Sequence, residues 1–197
     1  MDWTAPPHVR GLIFDCDGTL ADTMPAHYLA WTGMLSRYRI PFTEARFYAL
    51  GGVPTSKIIH ILAEECGVAV EDVERMTHEK EMGFLEHLHA VKPVEAVVRI
   101  ASSYRGRLPI AVASGGYRDT ITKTLHRIGI QDWFDALVTA EDTTRHKPEP
   151  DVFLEAARRM GVNATECVVF EDTDIGLEAA RRAGALGVDV RPWYAPA

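Results

Sequence analysis

Phe14-Asp15-Cys16-Asp17-Gly18-Thr19-Leu20 ends an apolar run in two carboxylates one residue apart, with glycine directly after them. Upstream, Gly11-Leu12-Ile13-Phe14 reads as the end of a buried strand, a short apolar run bounded by a turn signal. Side chains alternate along a strand, so Asp15 and Asp17 fall on one side if the chain stays extended. Two like charges that close call for a cation. A hard divalent ion such as Mg²⁺ suits them, because it takes oxygen ligands and leaves positions open for a phosphate. Alternation sends Cys16 the other way, as a small buried hydrophobe.

Outward from this stretch the rhythm changes twice. After Thr19 the pattern is helical for about 70 residues. Met24 to Tyr38 carries Leu29, Trp31, Met34, Leu35 and Tyr38 at helical spacing. Pro54 reads as the first residue of a helix running to Cys66 and stopped by Gly67, and Val70 to Leu88 reads as another. From about Lys92, short apolar strands alternate with helices: Leu108 to Ala113, Ala136 to Thr139, Cys167 to Phe170 and Leu186 to Val190. That alternation is the signature of a parallel α/β sheet. The first strand is therefore separated from the other four by a helical insertion, a lid or cap over residues 22–90, leaving a core domain of residues 1–21 and 91–197. Hinges are expected near Ala21-Asp22-Thr23 and Val91-Lys92-Pro93.

Composition narrows the partners. The chain has 197 residues, 47% of them hydrophobic, and 21 Lys and Arg against 28 Asp and Glu for a formal net charge of -7. No basic block stands out, which argues against nucleic acid and for a small ligand. The three cysteines, Cys16, Cys66 and Cys167, lack Cys-x-x-Cys spacing and fit a reducing compartment. No apolar stretch approaches the roughly 18 residues that span a bilayer, and Met1 to Pro7 has no targeting pattern. A cytoplasmic protein with no membrane partner is expected, as a monomer or weak homodimer.

Open parallel sheets bind ligands beyond the carboxyl ends of their strands, and the chemically active residues collect there. Asp15 and Asp17 follow the first strand. Ser114-Gly115-Gly116 follows the second and offers a hydroxyl and backbone N–H groups to an anion. His146-Lys147-Pro148 lies after the third. Glu171-Asp172-Thr173-Asp174 follows the fourth, and Asp174 is expected to cap the helix beginning near Ile175. Acids suit a metal, and the ammonium and amides suit phosphate oxygens.

Asp15-x-Asp17-Gly18-Thr19, Ser114, Lys147-Pro148 and Glu171-Asp172, in this order, resemble the four motifs of the haloacid dehalogenase superfamily. The insertion between the first two motifs resembles the subgroup that contains β-phosphoglucomutase and small sugar-phosphate phosphatases. Gly51-Gly52-Val53-Pro54-Thr55 and Val169 to Gly176 look closest to fructose-1-phosphatase-like members. The resemblance implies a Rossmann-like α/β core with a helical cap, and a Mg²⁺-dependent phosphatase acting on a small phosphorylated sugar or polyol. It implies Asp15 as nucleophile forming an aspartyl-phosphate, and Asp17 as acid and then base. It places the metal on Asp15, the backbone carbonyl of Asp17, Glu171 and Asp172. Ser114, Gly115 and Lys147 hold the phosphoryl oxygens, and Ser114 and Lys147 count with the aspartates as catalytic.

Substrate contacts carried over to the cap are His27, Gly52, Val53 and Thr55. The mutase relatives grip a second phosphate with an arginine where this chain has Thr55 and a lysine near Glu86. Without those cations hydrolysis is favoured and a phosphomutase is the alternative, with Lys57 as a replacement cation. A non-catalytic phosphate-binding protein is the remaining class.

Overall fold

A computed structural model describes residues 3–194. Met1, Asp2 and residues 195–197, which the sequence reading counts within the core domain, lie outside the described residues. The chain separates into two compact units, Met1–Asp22 with Lys92–Ala197, and Thr23–Val91.

The first unit opens with β1 (Gly11–Phe14) and β2 (Ala21–Asp22). In the second unit follow α1 (Met24–Arg37), α2 (Glu44–Ala49), α3 (Thr55–Cys66) and α4 (Val73–His87). The first unit then resumes with β3 (Lys92–Pro93), α5 (Glu95–Tyr104), β4 (Ile110–Ala113), α6 (Arg118–Arg127) and β5 (Ala136–Val138). It ends with α7 (Asp151–Met160), β6 (Cys167–Glu171), α8 (Asp174–Arg182) and β7 (Leu186–Asp189).

Five parallel strands form the sheet, in the order β5-β4-β1-β6-β7. β1 is central, paired with β4 through Leu12–Ile110 and with β6 through Phe14–Phe170. Both faces of β1 are covered, which is why its apolar run is continuous. Leu12 and Phe14 enter one core with Val112, Val168 and Phe170, while Ile13 enters the other with Ala111, Val169 and Phe153. Phe14 and Phe170 stack with ring centroids 4.7 Å apart. The winding reverses between β1 and β6, so the loops leaving those two strands diverge and open a crevice at their carboxyl ends.

The expected hinge segments carry a feature that periodicity does not show: Ala21–Asp22 and Lys92–Pro93 pair as an antiparallel ribbon. Two residues a side are too few to display alternation.

The helical unit has its own core, built on Trp31, Met34, Leu35, Phe47, Ile59, Leu62 and Met76. Several boundaries differ from the sequence expectation. α2 was not anticipated, because six residues offer too little periodicity; Thr43 caps it by accepting the Arg46 N–H at 3.2 Å. Pro54 stands just before α3 rather than within it. Asp72, accepting the Arg75 N–H at 2.8 Å, starts α4 three residues later than Val70. Leu29 is 50% exposed, outside the buried stripe of Ala26, Ala30, Trp31, Met34 and Leu35 on α1. Among the described residues no helix is long and apolar enough to cross a membrane.

Candidate active site

The chain leaves β1 at Asp15, whose N–H still donates to the Phe170 carbonyl at 3.0 Å. It then curls: the Cys16 carbonyl accepts from the N–H groups of Thr19, Leu20 and Ala21 at 3.2, 3.0 and 3.0 Å. Strand alternation therefore stops before Asp17, contrary to the extended reading of Asp15-Cys16-Asp17, because the peptide groups find partners in the turn. Cys16 does point into the apolar core. Burial pushes its thiol well above the ordinary range, so it stays protonated.

Gly18 makes the curl possible, with φ at +81° and no room for a side chain: a Cβ there would lie 2.2 Å from Oδ2 of Asp172. The Thr19 hydroxyl donates to Oδ1 of the same carboxylate at 3.1 Å. The first turn of α8 is shaped in the same way around Glu171. A Cβ on Gly176 would stand 1.9 Å from Glu171 Oε1. That oxygen accepts the Thr173 N–H at 3.2 Å and the Thr173 hydroxyl.

Thr173 also caps α8, accepting the Gly176 N–H at 3.1 Å. This corrects the assignment of the cap to Asp174. Asp174 begins the helix itself, and its carboxylate meets Arg191 at 2.8 Å. A threonine one residue earlier wins because its backbone is extended, as a capping residue requires.

Asp15, Glu171 and Asp172 converge so that one carboxylate oxygen from each lies within 4.8 Å of the others. Lys147, from the loop after β5, enters this group with Nζ 2.7 Å from Asp15 Oδ1 and 3.3 Å from Glu171 Oε2. Burial opposes the lysine charge, but Asp15 and Glu171 outweigh it and hold the ammonium above its ordinary range. One cation against three carboxylates leaves the cluster strongly negative. Burial and Glu171 together push Asp172 up to about 7, and burial with the neighbouring carboxylates raises Asp15 despite Lys147. Oxygen donors, net negative charge and side chains packed into glycine-cleared space fit a hard divalent cation. Asp17 supplies no carboxylate to this cluster.

Ser114 extends the sheet by donating its N–H to Val138 at 3.0 Å and is 2% exposed. Its Oγ accepts the Gly116 N–H at 3.0 Å, which leaves the hydroxyl proton to be donated elsewhere. A Cβ on Gly116 would lie 3.4 Å from Asp17 Oδ2, so the Asp17 carboxylate reaches the Ser114–Gly116 turn. The turn does not offer all the amides expected of it. Gly116 N–H serves Ser114, and Arg118 N–H is held by both Glu141 oxygens at 3.0 and 3.1 Å.

The four residues carried over to the helical unit divide between two places in it. His27, on α1, stacks on Phe84 at 4.0 Å and has Nδ1 3.1 Å from Lys80 Nζ. Gly52, Val53 and Thr55 lie at the start of α3, with Val53 packed against the unit's core. Lys80 was missed in the sequence reading. It is 4% exposed on the Met76, Thr77, Lys80, Phe84 face of α4, and its Nζ bonds Glu81 at 2.9 Å. The available signal was a lysine on the apolar face of an amphipathic pattern, which calls for a partner. Lys80 thus adds a buried cation to the helical unit at a position other than Thr55, Glu86 or Lys57. Glu86 and Lys57 are both exposed.

With this geometry in view, the chain matches the family described as haloacid dehalogenase-like hydrolase over residues 12–190. It is 41% identical over 182 residues, 92% of this chain and 96% of the other, to fructose-1-phosphate phosphatase YqaB of Escherichia coli (strain K12). To beta-phosphoglucomutase of Bacillus subtilis (strain 168) it is 26% identical over 190 residues, covering 92% and 83% of the two chains. A solved structure of a hydrolase from Pseudomonas syringae superposes with a TM-score of 0.81 at 29% identity, over 91% of this chain and 84% of that one.

Proposed function

The chain belongs to the haloacid dehalogenase-like hydrolases, and on that premise we propose that it is a phosphatase hydrolysing a small sugar or polyol phosphate through an aspartyl-phosphate on Asp15. The observation that carries this reading is the 2.7 Å contact of Lys147 with Asp15 inside the Asp15, Glu171, Asp172 cluster. A fructose-1-phosphate-like substrate is supported by the greater identity to the phosphatase, 41%, than to the mutase, 26%.

In this reading a carboxylate oxygen of Asp15 forms a bond to phosphorus in line as the bond to the sugar oxygen breaks. Asp17 gives its proton to that departing oxygen. Water then attacks the phosphorus of the aspartyl-phosphate, Asp17 takes the proton, and phosphate leaves with Asp15 restored as a carboxylate. The reach of Asp17 to the Ser114–Gly116 turn supports its acting at the phosphoryl position. Ser114 donates its free hydroxyl proton, Gly115 its N–H and Lys147 its charge to the phosphoryl oxygens, where charge spreads in the transition state.

Asp15, the Asp17 carbonyl, Glu171 and Asp172 would hold Mg²⁺, which when bound neutralises the carboxylates and draws charge from the phosphoryl oxygens. The helical unit acts as the cap, with His27, Gly52, Val53 and Thr55 as its substrate contacts. Uncatalysed phosphate-monoester hydrolysis requires accelerations up to about 10²¹-fold, so positioning, lysine and metal all have to contribute.

A phosphate-release screen over sugar and polyol monophosphates with Mg²⁺, with Asp15→Asn as control, tests this. Release from one or two compounds and none from the variant is expected. Release by the variant overturns the mechanism. No release from the wild type, with isomerisation of a sugar monophosphate primed by a bisphosphate, replaces hydrolysis with the mutase reaction.

A further inference from the structure

The loop that carries Lys147 is closed across that residue twice. Glu149 N–H donates to the His146 carbonyl at 3.0 Å, and Asp151, the first residue of α7, accepts from Arg145 Nε at 3.0 Å. Two residues further along α7, Phe153 is wholly buried in the core with Ile13, Ala113 and Val138, from the carboxyl-terminal ends of β1, β4 and β5. Its ring therefore lies at the strand ends from which the site residues emerge, and Lys147 Nζ stands over it, 5.0 Å from the centroid.

The ammonium thus has two kinds of neighbour. Asp15 at 2.7 Å and Glu171 at 3.3 Å meet it with full negative charge, and Phe153 offers the negative face of a π system. An aliphatic side chain in that place would desolvate the charge and return nothing. Lys147 is buried, so water does not compete with the ring for its charge, as it does at the exposed Arg105 over Trp133. The two kinds of contact also differ in constancy. Asp15 and Glu171 give up part of their pull when their charge is shared with a divalent ion, and Asp15 loses more when its oxygen is bonded to phosphorus. The quadrupole of the ring is unchanged by either event.

We propose that Phe153 is a positioning residue, whose ring face holds the Lys147 ammonium at the phosphoryl position while the charges of Asp15 and Glu171 change. Its role in turnover rests on the phosphatase reading above; the contact itself does not.

Phe153→Leu removes the ring but also opens the core, which mixes packing with charge. Phenylalanines carrying one, two and three ring fluorines, installed at position 153 alone, keep the shape and weaken the π face stepwise. Two quantities are read for each. One is kcat with fructose 1-phosphate, or with the best monophosphate from the screen. The other is the unfolding equilibrium constant from urea titrations with Mg²⁺ present, measured also in a Lys147→Met background. A buried cation–ring contact abolished by the three fluorines predicts a fall in kcat of about 30-fold, in steps of about 3-fold. The unfolding constant rises in the same steps when Lys147 is present and stays within about 2-fold in the Lys147→Met background. Equal slopes in the two backgrounds, or no slope in either, overturn the contact. A graded unfolding constant with unchanged kcat overturns the positioning role. Absence of phosphate release by the wild type overturns the phosphatase reading and with it the role in turnover, while the paired unfolding series still decides the contact.

Discussion

Nζ of Lys147 lies 2.7 Å from Oδ1 of Asp15, joining two residues 132 positions apart in the chain inside a group of buried acids. Lys147→Met removes the cation that meets both Asp15 and Glu171 and leaves the acids to repel one another. A kcat lower by about 10²- to 10³-fold is expected, comparable to the loss of one transition-state donor. Stability falls as well, by about 3 to 5 kcal/mol in the absence of metal. Steady-state kinetics and urea midpoints in chelator check both, and a kcat within twofold of wild type counts against a lysine role at the phosphoryl group.

Gly176→Ala tests the space that α8 clears for Glu171, where an added Cβ would stand 1.9 Å from Oε1. The glutamate has to move or the helix has to shift, at a cost of about 1 to 3 kcal/mol by the measure of overpacked cores. The Mg²⁺ concentration for half-maximal activity should rise by about 10-fold or more, since second-layer changes at metal sites have that effect. An activation constant equal to that of the wild type removes Glu171 from the ligand set.

Asp172 makes the metal and pH dependence opposite in sign with and without Mg²⁺. Its carboxyl is raised from 3.8 to about 7 by burial and Glu171, so the metal-free fold binds a proton that the unfolded chain has released. That stabilisation is full below pH about 4 and is lost as pH rises through about 7. In chelator, the Asp172 contribution therefore lowers the melting temperature between those limits. With Mg²⁺ at 100 times the dissociation constant it has at pH 8 the fold gains about 2.7 kcal/mol there, and the same concentration gives less at pH 5, where Asp172 is protonated. Scanning calorimetry in the two buffers across that range shows it, and a melting temperature indifferent to Mg²⁺ at pH 8 contradicts the metal site.

Asp142 works at the acid end. Burial opposes its charge, but Arg159 at 2.7 Å, Thr139 N–H at 2.8 Å, the Thr139 hydroxyl at 3.0 Å and Arg118 hold it at about 2 against an ordinary 3.8. A depressed carboxylate contributes stability above the unfolded value and loses it as pH falls through the folded one. Asp142→Ala should therefore destabilise the fold at pH 7 by about 2 kcal/mol. The gap to wild type narrows between pH 4 and pH 2, and urea midpoints along that range measure it.

Much of the site was open to sequence reasoning because its parts are local. An apolar run ending in Asp15 marks a strand end, and so does the run ending in Glu171; both judgements need only neighbouring residues. Lys80 escaped because a lysine within a charged helix gives no sign of its partner, and His27 lies 53 residues away. Thr173 and Asp174 are both good caps by composition. Only backbone dihedrals, extended at Thr173, separate them.

The order of strand and helix along the chain, the insertion after the first strand and the acids at strand ends were determined by the sequence alone, since each follows from hydrophobic periodicity and short-range chemistry. The tertiary structure decided which of those acids meet. Strand order brings β6 beside β1 across the reversal in winding, so Glu171 and Asp172 join Asp15, while the curl beyond Cys16 takes the Asp17 carboxylate toward Ser114 instead. It also brought the turn after β7 back beside β6, where Val190 N–H meets the Glu171 carbonyl and Trp193 meets Phe170. Such convergence depends on contacts between residues far apart in sequence, and the energy that selects it, burial of both faces of the sheet, is a property of the assembled layers rather than of any one segment.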